Sequence, residues 1–186
     1  MSIQAARGVA RLARFRADGL QAFEATPTGL LNALAPWLAF AVVGFVLMIV
    51  AGSAQQAIGD LLASIVALLT PPVVSQALAR LWGRQDAWLR YAVAFTWCQW
   101  VMPVALLATL MASGLLMAAG LPENLAESLA ALVLLVYAVS LHGFVIRRAL
   151  DLSRWRTAGM IIAINLGTVA VVMGPTLLNA VMEAGA

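Results

Sequence analysis

The side chains able to do chemistry are few in this sequence, and they lie inside apolar runs. There is one histidine, His142, and one cysteine, Cys98. A general base needs a partner that orients it, and a metal site usually takes three protein ligands. No carboxylate lies within four residues of His142, and no Gly-x-Ser-x-Gly elbow presents a serine nucleophile. Cys98 reads as a small apolar packing residue, and a single cysteine excludes an intrachain disulfide. The expectation is a protein that is not an enzyme, with no metal and no cofactor.

What the pattern does offer is uncharged polarity. Gln99 lies eight positions into the apolar run that opens at Tyr91, and Asn165 lies eight positions beyond Thr157. At ~1.5 Å per helical residue, both would sit ~12 Å below the same membrane edge. Gln76, Thr96, Ser140 and His142 lie closer to that edge. A lipid-facing amide leaves its donors unsatisfied. Gln76, Gln99, His142 and Asn165 are therefore expected to turn inward as an intramembrane polar cluster, bonded to one another.

The elements that must position these groups follow from composition. Hydrophobic residues make up 63% of the chain and charged residues 10%, against roughly 25% charged in a soluble domain. A water-soluble fold would lack the polar surface to cover itself, so the class is all-α and integral to a membrane. Runs of ~20 apolar residues cross a ~30 Å hydrocarbon core. Five such runs stand at about 30–51, 58–79, 91–119, 125–146 and 157–182. Thr70-Pro71-Pro72 interrupts the second and predicts a kink or local break. The third is longer than one straight crossing needs, so it must tilt, kink at Pro103 or lose its last turn to the loop.

All eleven basic residues are arginines. They fall in the N-terminal segment (Arg7, Arg11, Arg14, Arg16), in the loop after span two (Arg80, Arg84, Arg90) and in the loop after span four (Arg147, Arg148, Arg154, Arg156). None falls in the other loops or the tail. Arginine-rich short loops stay cytoplasmic, so five crossings with the N-terminus inside and the C-terminus outside account for all of them. The expected site is the inner cell membrane, multi-pass. The all-arginine, alanine-rich composition hints at a GC-rich bacterial genome. Arginines at membrane edges read as topology and as contacts to lipid, so no nucleic acid is expected as a partner. The hairpin cations Arg147, Arg148, Arg154 and Arg156 are the candidate contacts to anionic lipid or a partner.

Residues 1–29 carry charge throughout and do not read as a secretory signal. At about 100° per residue, Arg7, Arg11, Arg14 and Asp18 share one helix side, and Val9, Leu12, Leu20 and Phe23 the other. This predicts an amphipathic cytoplasmic helix on the membrane surface. The domain plan is thus 1–29 and then a five-span bundle over 30–186. Close backbone approach holds membrane helices together, since lipid is as apolar as leucine. Gly159, Ala163, Gly167, Ala170 and Gly174 recur at spacings of four, four, three and four on the fifth span, and predict a packing seam.

Three segments carry a family likeness. The third span opens Tyr91-Ala-Val-Ala-Phe-Thr-Trp-Cys-Gln-Trp-Val-Met-Pro103. The fourth ends Tyr137-Ala-Val-Ser-Leu-His-Gly-Phe. The hairpin reads Arg148-Ala-Leu-Asp-Leu-Ser-Arg-Trp-Arg-Thr-Ala. Over about Arg80 to Ala180 the chain resembles the prokaryotic Yip family of Ypt/Rab-interacting membrane proteins. That resemblance implies a five-helix bundle with a cytosolic N-terminal region, and in eukaryotic members traffic roles through lipidated small GTPases. Phe23-Glu24-Ala25-Thr26-Pro27 stands where those members carry Asp-Leu-Tyr-Gly-Pro, so no site residues carry over.

The expected function is that of a non-catalytic Yip-type inner-membrane protein. It would act by helix association, or by contact of its arginine loops with lipid, another membrane protein or a second copy of itself. The alternative is a small transporter or channel that uses the second span at Pro71-Pro72. A polar cavity beside Pro71 and Gln99 would favour the alternative. A solid interior with small-residue contacts would favour association.

Overall fold

The computed structural model describes the backbone of residues 3–184 and the side chains of residues 3–174. The described residues are helical throughout, with no strand. The helices are α1 (Ile3–Leu12), α2 (Pro27–Val50), α3 (Ala54–Leu81), α4 (Gln85–Cys98), α5 (Val101–Ala118), α6 (Glu123–Leu150) and α7 (Arg154–Ala184), with a short 3-10 helix at Ala17–Ala22. Five stretches are long and apolar enough to cross a membrane, the third being the joined pair Gln85–Ala118. The last eight residues of the expected fifth span, 175–182, lie beyond the described side chains.

Local chemistry sets the boundaries. Thr26 caps α2, its hydroxyl accepting from the Gly29 N–H at 3.0 Å, and Pro27 takes the first helical position, where no N–H is needed. Proline also divides the long third run. Pro103 has no N–H for the carbonyl of Gln99, which accepts from Met102 at 3.1 Å instead. The helix therefore parts at Gln99–Trp100, one turn before the proline. The 18 residues of α5 then span ~27 Å, close to a hydrocarbon core.

Pro71-Pro72 acts differently from the expected break. Helix α3 runs unbroken through both prolines. The Thr70 hydroxyl donates to the Val66 carbonyl at 2.7 Å, and the Ser75 hydroxyl to the Pro72 carbonyl at 2.9 Å. Neither bond replaces those that the prolines remove, and the packing of α7 alongside holds the helix across the gap. The carbonyls of Ala67 and Leu68 lose the donors that residues 71 and 72 would have supplied.

The exposed large apolar side chains form a belt. It covers Leu31–Val50 on α2, Ile58–Val73 on α3, Val104–Met117 on α5, Leu125–Val139 on α6 and Ile162–Met173 on α7. Helix α4 contributes none of them. Half of its surface is instead sealed, with Tyr91, Ala92, Val93, Ala94, Thr96, Trp97 and Cys98 buried. It is a hub that touches α1, α2, α3 and α6. The exposed apolar belt of the third run thus lies on α5, while α4 lies in a buried layer on the arginine side.

That layer holds the large buried side chains: Leu12, Tyr91, Val145, Ile146, Leu150 and Met160. Toward the other end the buried residues are small, as in Ala57, Ser113 and Ala126, so backbones approach closely there. On the arginine side the turn after α3 meets the turn after α6. Arg84 donates to the carbonyl and the carboxylate of Asp151 at 3.3 and 3.4 Å. Asp151 caps α6 with φ of 51°, a left-handed conformation that aspartate tolerates.

Residues 3–23 do not form the single helix that the periodicity predicts. Helix α1 stops at Leu12, Phe15 turns the chain with φ of 57°, and the 3-10 helix packs back on α1. Two glycines permit this. A Cβ on Gly8 would lie 2.7 Å from the Ala22 Cβ, and one on Gly19 would lie 2.7 Å from the Gly8 carbonyl oxygen. Asp18 pairs with Arg11 and Arg16 at 3.4 and 3.3 Å. The apolar side of this hairpin faces protein: Ala5, Leu12, Leu20 and Phe23 join the core of the bundle.

Candidate functional site

A cavity of about 370 Å³ opens between α3, the α4–α5 joint, α6 and α7. Gln99, His142 and Asn165 all line it, beside Pro71 and Ala67. Each is placed by an element already described. Gln99 stands at the joint that Pro103 creates. His142 lies on the inward side of α6, next to buried Leu141 and Val145. Asn165 follows buried Ile164 on α7. Gln76 is half-buried and is not part of the lining.

The polar groups do not bond to one another. His142 Nε2 pairs with the Tyr91 hydroxyl at 3.0 Å, and its ring lies 4.6 Å from that of Phe95. Asn165 donates through Nδ2 to its own helix at the Ile161 carbonyl, 2.8 Å away. Thr168 likewise donates to Ile164. Among the described residues the Asn165 amide oxygen has no donor and the Gln99 side chain has no hydrogen bond. Two amides therefore keep free capacity in a space that His142 and Thr168 also line, Asn165 being itself exposed. Among the described residues no acid or arginine lines it.

This arrangement can hold a neutral molecule by hydrogen bonds. Among the described residues no group of three or more His, Cys, Asp or Glu gathers to bind a metal. Cys98 lines the cavity as a free, buried thiol. The partner of His142 is a phenol 51 residues away, which spacing alone does not reveal. A signal for it exists all the same. Tyr91, Phe95, Cys98 and Gln99 recur at i, i+4, i+7 and i+8, one helix face.

The other candidate residues are dispersed. Arg147, Arg154 and Arg156 are exposed, and the Arg148 guanidinium lies 5.8 Å from the Phe144 ring centre. In the proposed seam, Gly167 packs on α3, where a Cβ would lie 3.2 Å from Val74 and 3.7 Å from Thr70. Gly159 and Gly174 face open space. Ala163 is half-buried and Ala170 exposed. The inward face of α7 is made by Thr157, Met160 and Ile164 instead.

Satisfied and unsatisfied donors give a direct comparison. The indole N–H groups of Trp37 and Trp100 are buried, 4.9 Å apart by ring centres, and have no acceptor among the described residues. A buried polar group that loses its partner costs about 1–3 kcal/mol. Tyr91→Phe, which strands His142, is expected to lower stability by roughly that amount. Trp100→Phe removes a donor that has nothing to lose and should cost less. Thermal unfolding of both variants in one detergent checks the order.

Compared with models of protein families, with curated proteins and with solved structures, the chain matches none, and its geometry alone carries the functional reading.

Proposed function

We propose that this is a non-catalytic multi-pass membrane protein that takes up a small neutral amphiphile within the bilayer, as a small carrier does. The observation that carries the reading is the cavity beside Pro71 and Gln99, lined by two amides with unused hydrogen-bonding capacity. Its volume falls at the lower end of ligand pockets, which run from about 300 to 1,000 Å³. An ion entering it would find no countercharge and would lose its hydration at a cost of several kcal/mol, which favours a neutral ligand. The parted helix at Gln99–Trp100 supports the same reading, because interrupted helices line substrate sites in transporters. The one-sided arginines support an N-terminus in the cytoplasm and a C-terminus outside, in a bacterial inner membrane.

The sole cysteine provides the test, since Cys98 lines the cavity. N-ethylmaleimide is small and neutral; a sulfonate-bearing thiosulfonate is charged. In the folded, detergent-solubilised protein, Cys98 is expected to react with the first and resist the second. Ala138→Trp, which fills the cavity from α6, should slow the maleimide by about tenfold or more, because access governs thiol reactivity. Equal reaction with both reagents, or no effect of the tryptophan, would sink the proposal.

A second reading keeps the arginine hairpin as a docking surface. It rests on Trp155, 87% exposed between Arg154 and Arg156. Tryptophan and arginine are the residues that most often anchor protein interfaces. The resemblance to the prokaryotic Yip family belongs with this reading.

A further inference from the structure

The N-terminal turn Arg14-Phe15-Arg16 is pinned to α6. The Tyr137 hydroxyl donates to the Ala13 carbonyl at 2.9 Å, and Phe15 meets Tyr137 and Phe144 edge-on, with ring centres 5.9 and 5.6 Å apart. Phe15 holds a left-handed backbone and stays 42% exposed. A bulky residue seldom adopts that conformation without a structural reason. Beside the ring, an open groove of about 490 Å³ runs along α6, lined by Phe15, Tyr137, Ser140, Val136, Val133 and Leu132. The last three belong to the exposed apolar belt. The groove therefore begins at the arginine-side layer and continues into the surface that faces lipid. From Ser140 to Leu132 it descends ~12 Å.

Cations stand at its upper end. Arg14 and Arg16 flank Phe15 in the chain, and Arg148 lies over Phe144, which touches Phe15. Arg16 is engaged by Asp18. Arg14 and Arg148 are exposed and have no ion pair among the described residues.

We propose that this groove holds one anionic phospholipid of the surrounding bilayer. Its phosphate sits between Arg14 and Arg148, and one acyl chain lies along Val136, Val133 and Leu132. A free anion would use the arginines but leave the groove empty. A zwitterionic lipid would bring its own cation against them. The lipid with a phosphate, no cation and a long apolar chain matches both halves. This site is separate from the cavity at Gln99, so either proposal can fail without the other.

The test uses the full chain in phosphatidylcholine vesicles that carry a trace of spin-labelled phosphatidylglycerol or spin-labelled phosphatidylcholine. The readout is the motionally restricted fraction of each lipid. Two cations at an anionic headgroup should give phosphatidylglycerol a roughly thirtyfold preference. Arg14→Gln combined with Arg148→Gln should abolish it. Val136→Trp should abolish it too, with every charge intact and at a position 56% exposed, where folding is spared. Arg154→Gln with Arg156→Gln, at the tip of the hairpin, should leave it standing. Equal restriction of the two lipids by the natural protein overturns the proposal. So does loss of the preference in the tip variant, because the arginines would then act as a general surface field.

Discussion

Leu12→Ala is expected to free the N-terminal hairpin from the bundle. Leu12 is wholly buried, at 0% exposure, where α1 packs on the 3-10 helix and α4. Truncating a buried leucine costs about 2–5 kcal/mol, with the larger values where the site cannot collapse. Collapse is restricted here, because Gly8 and Gly19 already bring α1 and the 3-10 helix into backbone contact. Each 1.4 kcal/mol is a factor of about ten in population, so the undocked form should rise by roughly thirty- to several-thousand-fold. Trypsin reads this directly, since Arg7, Arg11, Arg14 and Arg16 all lie in the hairpin. Cleavage there should accelerate while the spans stay intact. An unchanged cleavage rate would mean that the hairpin is held by its turn at Tyr137 and not by its apolar face.

Gly167→Leu is expected to be the most damaging single change on α7. Even a Cβ at this position would come within 3.2 Å of Val74, and three further carbons must then displace α3. Overpacking of this kind costs about 1–3 kcal/mol. The comparison that makes it specific is Gly159→Leu, where a Cβ meets nothing within 4 Å. The same leucine should be tolerated there. Thermal unfolding of the two variants in one detergent is the measurement. Equal losses would show that α7 dislikes leucine for reasons other than its contact with α3.

These two sites show what was legible in the sequence. The number and rough limits of the crossings could be read, because a run of apolar residues has a length that the bilayer dictates. The division of the third run was announced by its excess length and by Pro103. Its exact point was not, since the chain parts where the orphaned Gln99 carbonyl finds Met102. The continuity of α3 was missed because a proline pair is a local signal, while the packing of α7 that holds the helix is not. The N-terminal periodicity ran on past Leu12 because Leu20 and Phe23 stay in phase with it. What breaks that helix is a contact between Gly8 and Gly19, which no helical wheel displays. The same holds for the cavity. Gln99 and Asn165 were visible as polar residues at one depth, with His142 nearer the edge, but Tyr91, which takes up His142, is set by packing between α4 and α6.

Helix α4 carries a consequence for how the chain is made. A ribosome delivers it directly ahead of α5 as one apolar stretch of 34 residues, nearly twice what a translocon needs to commit a segment to lipid. Yet α4 finishes outside the belt, and α6, one of its walls, is synthesised only afterwards. During that interval its sealed face has nothing to seal against but the bilayer surface. The last third of the polypeptide is therefore what draws it into place, and a chain truncated before residue 140 should leave α4 stranded among the headgroups.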